Sequence, residues 1–149
     1  MYIFESNIDP RRHDEFVKNH PQGGLLQSSS WAKVKDNWGH CIVGVSDGGG
    51  LVASALVLTK SLPLGLCVMY TPRGPVMDYT NGELVGFFFK EMKKWARSKR
   101  CAFIKFDPAV IYREYFLADS DSSPVFDDAK KAMSNIEGTG AVFNGLTKI

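Results

Sequence analysis

The sequence predicts an α+β domain built on a mixed sheet with helices on its faces. Three observations carry this. Two apolar runs flank "SDGGG" at residues 46–50, a hairpin signature in which glycines supply positive φ angles. The runs "LCVMY" and "CAFIKFDP" then bracket a long amphipathic stretch, which reads as a strand–helix–strand crossover. Two short helical patterns precede the hairpin, and their apolar sides need a sheet to cover.

Taken in order, "DPRRHDEFVKNH" opens with Asp9 as N-cap and Pro10 at the first helical position, predicting a helix over about residues 10–19. "PQGG" ends it. "SSSWAKVKDNW" offers serine caps and a second short helix over about residues 29–38. The hairpin strands lack strict alternation, so both faces are expected to be covered. "SLPLG" breaks the chain before the third strand. In "NGELVGFFFKEMKKWARSKR", Leu84, Phe88, Met92 and Trp95 share one helical face. Its basic end, Arg97, Lys99 and Arg100, suits a helix C-terminus, with an RNA or membrane contact as the alternative. "CAFIKFDP" is the fourth strand, stopped by Pro108. "LADSDSSP" is loop-like. "VFDDAKKAMSNIEG" reads as a helix on Phe126, Ala129, Met133 and Ile136 with Gly138 as C-cap. "AVFNGLTKI" begins a last strand. The expected order is α-α-β-β-β-α-β-α-β, with no repeat and no low-complexity segment.

The totals bound function. The 149 residues suffice for one domain with a core, and 44% apolar with 23% charged residues is ordinary globular composition. A net charge of +2 counts against a domain held to nucleic acid by bulk charge. No run approaches a membrane span, and the first residues lack the apolar stretch of a signal peptide. The odd cysteine count and the lack of a CxxC pair make Cys41, Cys67 and Cys101 buried reduced thiols of a cytosolic protein. His13, His20 and His40 have no metal-ligand spacing, so no metal site is expected.

Three places could carry chemistry. On the wheel of the second helix, Trp31, Val34 and Trp38 form a stripe, with Lys35 at its edge and Lys33 pointing away. Lys35 either lays its stem on tryptophan with its ammonium in water, or presents a cation to a phosphate at a cleft wall. In "YTPRGPVMDY", Pro72 and Pro75 stiffen a turn, Gly74 permits close approach to the backbone, and Arg73 offers a planar fork to an anion. The bland reading is a plain surface turn. In "AFIKFDP", Phe103, Lys105 and Asp107 share a strand face, and Asp107 sits where the strand ends. It either caps the following turn or points a carboxylate into a cleft as base or binder, with Lys105 as its ion-pair partner or as a further substrate contact. No GxSxG, Walker A or GxGxxG pattern is present, and "QSSSW" reads as a cap rather than a nucleophile.

"LLQSSSWAKVKDNWG", "YTPRGPVMDY" and "AFIKFDP", in that order and at these intervals, resemble the Fem (FemABX-like) family of peptidoglycan aminoacyltransferases. The resemblance runs from about residue 8 to the end. It implies a fold of two GNAT-like domains, an aminoacyl-tRNA donor, and a muropeptide acceptor that is either UDP-MurNAc-pentapeptide or lipid II. It implies that the side-chain amine of the acceptor's third residue attacks the aminoacyl ester. On that resemblance Lys35 is a phosphate contact, Trp38 lines the sugar, Asp107 is a catalytic or binding carboxylate, and Arg73 and Gly74 form the cleft. Family members continue into a Q-P-R motif and a second transferase domain. Residues 1–149 are therefore expected to be a single N-terminal GNAT-like domain of a longer chain, lacking most of the tRNA-facing surface and inactive alone. The expected location is cytoplasmic, with peripheral contact at the inner face of the membrane, and the cut domain is expected to self-associate. No cofactor is expected. No [RQ]-x-x-G-x-[GA] turn marks a CoA site, which counts against the alternative of a CoA-dependent N-acyltransferase. The remaining alternative is a non-catalytic partner-binding domain.

Overall fold

A computed structural model describes residues 1–114 and 123–145. Its elements are β1 (Tyr2–Ser6), α1 (Pro10–Asn19), a 3-10 turn (Leu25–Gln27), α2 (Ser29–Val34), β2 (Gly39–Asp47), β3 (Gly50–Ser61), β4 (Cys67–Thr71), β5 (Val76–Met77), α3 (Gly82–Ser98), β6 (Cys101–Phe106) and α4 (Asp127–Glu137). The sheet runs β1-β2-β3-β4-β6, with β5 paired to β3. All pairs are antiparallel except β4 with β6, which the α3 crossover makes parallel. The expected mixed sheet with helices on its faces is the fold observed.

The hairpin turns as its glycines predict. Gly48 and Gly49, at φ of 61° and 90°, join Asp47 to its partner Gly50. Two successive left-handed residues match the twist of the strands they connect. Beyond the turn, β2 and β3 are buried on both faces. One face packs Val43, Val45, Ala53, Ala55, Val57 and Met69 against Leu84, Val85, Phe88, Phe89 and Met92 of α3. Phe88 stands edge-on to Phe4 and to Phe89, and Phe89 meets Phe106 with ring centroids 4.8 Å apart. Asn81 begins α3 by accepting the Leu84 N–H at 3.1 Å. The predicted stripe holds, with Trp95 at its half-buried end.

The opposite face packs Ile42, Leu56 and Leu58 against Ile8 and Ala32, with Trp31, Trp38, Leu51 and Tyr70 around them. Here α1 starts as expected, Asp9 accepting from the Arg11 and Arg12 N–H groups at 2.9 and 3.3 Å.

Five expectations need correction. The sequence reading left Tyr2–Ser6 unassigned, yet it pairs with β2, placing Tyr2 and Phe4 on the α3 side. Its Glu5 meets Arg12 of α1 at 2.8 Å on the other side. The second helix ends at Val34, not near residue 38. Lys35 leaves helical geometry, and Lys35 to Trp38 form a turn closed by the Trp38 N–H on the Lys35 carbonyl at 2.9 Å. Asp36 and Asn37 lie in that turn, and such side chains compete locally for backbone hydrogen bonds. Val34, assigned to the packed stripe, is 65% exposed, and Ala32 is the buried position. Of the expected last strand, residues 141–145 are not in a sheet, and 146–149 lie outside the described residues. Most of the polar loop "LADSDSSP" lies outside them as well. Finally, only Cys67 of the three free cysteines is buried, while Cys41 and Cys101 are half-buried.

Candidate functional site

Two short helices cannot cover a whole sheet face. At 1.5 Å per residue, the six residues of α2 span about 9 Å. Helices α1 and α2 pack over β2 and β3, and among the described residues the β4–β6 side of that face stays open. Strand alternation then decides what the open part displays. Leu58, Tyr70 and Lys105 form one row across β3, β4 and β6, and Lys60, Val68 and Phe103 form the next. Lys60 and Lys105 are exposed, and Phe103 is 60% exposed.

Each lysine on this surface lies over a ring. The Nζ atoms of Lys35, Lys60 and Lys105 sit 5.4, 5.4 and 5.6 Å from the ring centroids of Trp31, Trp38 and Tyr70. Cation–π contact positions an ammonium without neutralising it. Among the described residues, neither these lysines nor Arg73 form an ion pair with a carboxylate. The expected Lys105–Asp107 pair is absent there too, because Lys105 turns onto Tyr70 instead.

Asp107 does something else. Its Oδ1 accepts the Arg73 backbone N–H at 2.8 Å, and its Oδ2 accepts the Tyr70 hydroxyl at 3.3 Å. Instead of capping the turn that follows it, the carboxylate fastens the end of β6 to the Pro72–Gly74 turn that leaves β4. Arg73 stands there at φ 52°, in the left-handed region that costs a non-glycine residue energy and needs an anchor. Burial, and secondly the Asp107 charge, push the Tyr70 hydroxyl above the usual phenol range, so it stays a donor.

Lys35 and Asp107 thus serve the same face of the sheet. Lys35 reaches it over Trp31, Asp107 reaches it through Tyr70, and Trp31, Trp38 and Tyr70 all border one apolar cluster.

Gly74 is the predicted residue the structure reassigns. A Cβ there would lie 2.5–2.7 Å from the side-chain atoms of Gln27, so the space beside it belongs to Gln27 and not to a ligand. Gln27 is fully buried. It donates to the Pro72 carbonyl at 2.6 Å, and its Oε1 accepts the Leu56 N–H at 3.0 Å. Its own carbonyl meets His13 Nε2 at 2.5 Å, and His13 Nδ1 meets Ser54 Oγ at 2.6 Å. An Nε2–H tautomer satisfies both contacts: the ring donates to the carbonyl and accepts from the serine. Burial pushes the His13 imidazole below its usual range. This buried polar chain ties α1, the 3-10 turn, β3 and the Arg73 turn into one frame. The serines ahead of Trp31 are caps, as expected: Ser28 Oγ accepts the Trp31 N–H at 3.3 Å, and Ser29 bonds Asp14 of α1.

Sequence reasoning missed Gln27, His13, Tyr70 and Lys60. Lys60 was within reach, since alternation from Leu56 and Leu58 puts it on the same face. Among the described residues no group of acidic, histidine or cysteine side chains could hold a metal ion, and no helix is long and apolar enough to cross a membrane.

The mixed sheet with helices on both faces is a GNAT-like fold, similar to those of FemX and of an N-acetyltransferase. A ribosomal-protein-alanine N-acetyltransferase from Brucella melitensis matches the whole chain and 97% of its own length with a TM-score of 0.54, at 13% identity, a likeness of fold alone. The crystal structure of FemX matches 91% of this chain with a TM-score of 0.74 and 31% identity, covering 31% of that chain. The FemAB family model matches residues 8–148, and the chain belongs to the FemAB family. A lipid II:glycine glycyltransferase from Staphylococcus epidermidis is 36% identical over 107 residues, which is 70% of this chain and 26% of that protein. A UDP-N-acetylmuramoylpentapeptide-lysine N(6)-alanyltransferase from Weissella viridescens is 35% identical over 106 residues, covering 70% and 31%. The chain spans about a quarter to a third of the length of these relatives.

Proposed function

We propose that this chain is the acceptor-binding part of an aminoacyltransferase that adds amino acids from aminoacyl-tRNA to the peptide of peptidoglycan precursors. The observation that carries the reading is the open sheet face, where lysines lie on aromatic rings with no carboxylate paired to them among the described residues. A pyrophosphate-linked sugar peptide asks for that combination. Its phosphates need cations that are not already neutralised, and its sugar needs flat apolar rings. Lys35 and Arg73 take the phosphate charge, Trp38 lines the sugar, and Lys105 extends the cationic edge. Asp107, with both oxygens engaged, is best read as a positioning residue that keeps the Arg73 turn in place. Gly74 supports that turn by making room for Gln27.

Chemistry in this scheme rests on holding the acceptor amine near the ester, which can supply much of the acceleration. The donor tRNA contacts and completion of the active site are assigned mainly to the part of the longer relatives that this chain does not match. Residues 1–149 then form one GNAT-like N-terminal domain that works in the cytoplasm, with peripheral membrane contact when the acceptor is lipid-linked.

The test is a calorimetric titration of residues 1–149 with UDP-MurNAc-pentapeptide, wild type against Lys35→Ala. Loss of one charge-assisted hydrogen bond predicts weakening by about 1.5–3 kcal/mol, roughly ten- to 150-fold. Equal affinities would leave Lys35 as a solvated stem on Trp31. Aminoacyl transfer from charged tRNA by residues 1–149 alone would refute the assignment of the donor site to the rest of the protein.

A further inference from the structure

On the sheet face that α3 covers, opposite the open one, a pocket of about 440 Å³ lies between the sheet and the end of α3. Trp95 and Lys99 form its helical wall, and Cys67 is among the residues that line it. Cys67 starts β4 and Cys101 starts β6, and the two are direct partners in the parallel register. Neighbouring strands lie about 4.8 Å apart, inside the roughly 4.4–6.8 Å Cα separation that a disulfide spans. The register slips just after this pair, between Cys67 and Val68. Both side chains join the same apolar cluster under α3, so they point to the same side of the sheet.

We propose that Cys67 and Cys101 are a dithiol modification site that a small two-electron oxidant of the peroxide class, entering through this pocket, closes into a cross-strand disulfide. Cys67 meets the oxidant first, because it lines the pocket. Its thiolate attacks one peroxide oxygen, the O–O bond breaks, and hydroxide leaves and takes up the thiol proton as water. The Cys67 sulfenic acid is then attacked by the Cys101 sulfur. The S–S bond forms, the S–O bond breaks, and the sulfenic oxygen leaves as a second water with the Cys101 proton. In sum two thiols and one hydrogen peroxide give one disulfide and two waters.

The order of events has independent support. Burial first, and the adjacent Cys67 second, push the Cys101 thiol up to about 11, so Cys101 keeps its proton until a neighbouring electrophilic sulfur is present. Its Sγ also donates to the Phe103 carbonyl at 3.0 Å. Cys41 lines the same pocket from β2, two strands away from β4. Its register partner on β3 is Val57, whereas that of Cys67 is Ser61, so Cys41 is displaced along the sheet as well as across it.

The test treats the reduced chain of residues 1–149 with a small excess of hydrogen peroxide under native conditions, then alkylates, digests without reductant and maps peptides by mass. The expected product is a Cys67–Cys101 linked peptide lacking two hydrogens, with Cys41 still open to alkylation. Cys41→Ser should give the same link. Cys101→Ser, and Cys101→Ala as a second replacement, should give none and should stop at a sulfenic acid on Cys67 that dimedone traps. Unfolding in urea before oxidation should abolish the preference for this pair. The proposal fails if Cys67 and Cys101 both stay alkylatable while Cys41 oxidises. It fails equally if Cys41 enters the dominant linkage, or if the urea-unfolded chain pairs the same way.

Discussion

The two faces of this sheet are built from the same strands and end in opposite states. Under α3, seventeen residues of helix lie along the sheet and seal it with phenylalanine, methionine and valine. Under α1 and α2, the helices are ten and six residues long, and the cover stops before β4 and β6. The sealed face holds the domain together. The unsealed face leaves strand residues uncovered, among them Lys60, Lys105, Tyr70 and Phe103 beside Val68. Helix length, more than strand composition, separates the sealed face from the open one in this domain.

That division is broken most severely by Phe88→Ala. Phe88 has no exposed surface and touches both Phe4 and Phe89. Removing it should cost about 3–5 kcal/mol, read from the urea midpoint with the slope unchanged. A loss under about 1 kcal/mol would mean that the α3 face is looser than its burial indicates.

The second test strikes the frame beneath the open face. Gly74→Ala pushes a methyl group into Gln27 and should cost about 1–3 kcal/mol. Gln27→Ala leaves the Leu56 N–H and the Pro72 carbonyl without their partner, at a cost of about 1–3 kcal/mol. The pair together should cost less than the two added, because the second substitution removes what the first collides with. Strict additivity would break the link between them.

How much of this could be read from the chain alone follows from the range of each interaction. The hairpin and α3 are local and periodic, and both were legible. Strand β1 is five residues long and half polar on one side, too short for its alternation of Tyr2 and Phe4 to stand out. The end of α2 was misread because Trp31 and Trp38 fit a helical stripe, yet Asp36 and Asn37 bend the chain and still deliver Trp38 to the same cluster. Lys35 and Asp107, singled out from the sequence, lie toward one face of the sheet through Trp31 and Tyr70. The meaning of Gly74 was not legible, since Gln27 lies far off in sequence and bonds to Pro72 across 45 positions. The same distance effect hid the bond from Asp107 back to Arg73.

A third test uses pH. His13 is buried as the neutral ring, and its affinity for a proton is below that of an unfolded histidine, near 6.5. Between the two values the unfolded chain carries the extra proton, so stability falls as pH drops from about 7 and levels off below the folded value. Burial lowers His20 in the same direction. Urea midpoints across this range should therefore slope less in His13→Gln than in wild type, and less again when His20→Gln is added. An unchanged slope in the double variant would remove both histidines from the account.

The smallest expected effect on stability sharpens the comparison most. Lys60→Ala and Lys105→Ala alter exposed side chains whose Nζ atoms lie over the Trp38 and Tyr70 rings. Each should leave the urea midpoint within about 0.5 kcal/mol of wild type. If the open face serves an anionic ligand, the same two changes should weaken UDP-MurNAc-pentapeptide binding, and weaken it more at low salt than at high salt. The salt dependence separates charge from shape: losing a ring contact would lower affinity equally in both buffers. A substitution that destabilises nothing and still costs affinity is what distinguishes a surface kept open for a partner from one that is merely uncovered. Should either lysine prove as costly to stability as Gln27, the open face would belong to the core after all.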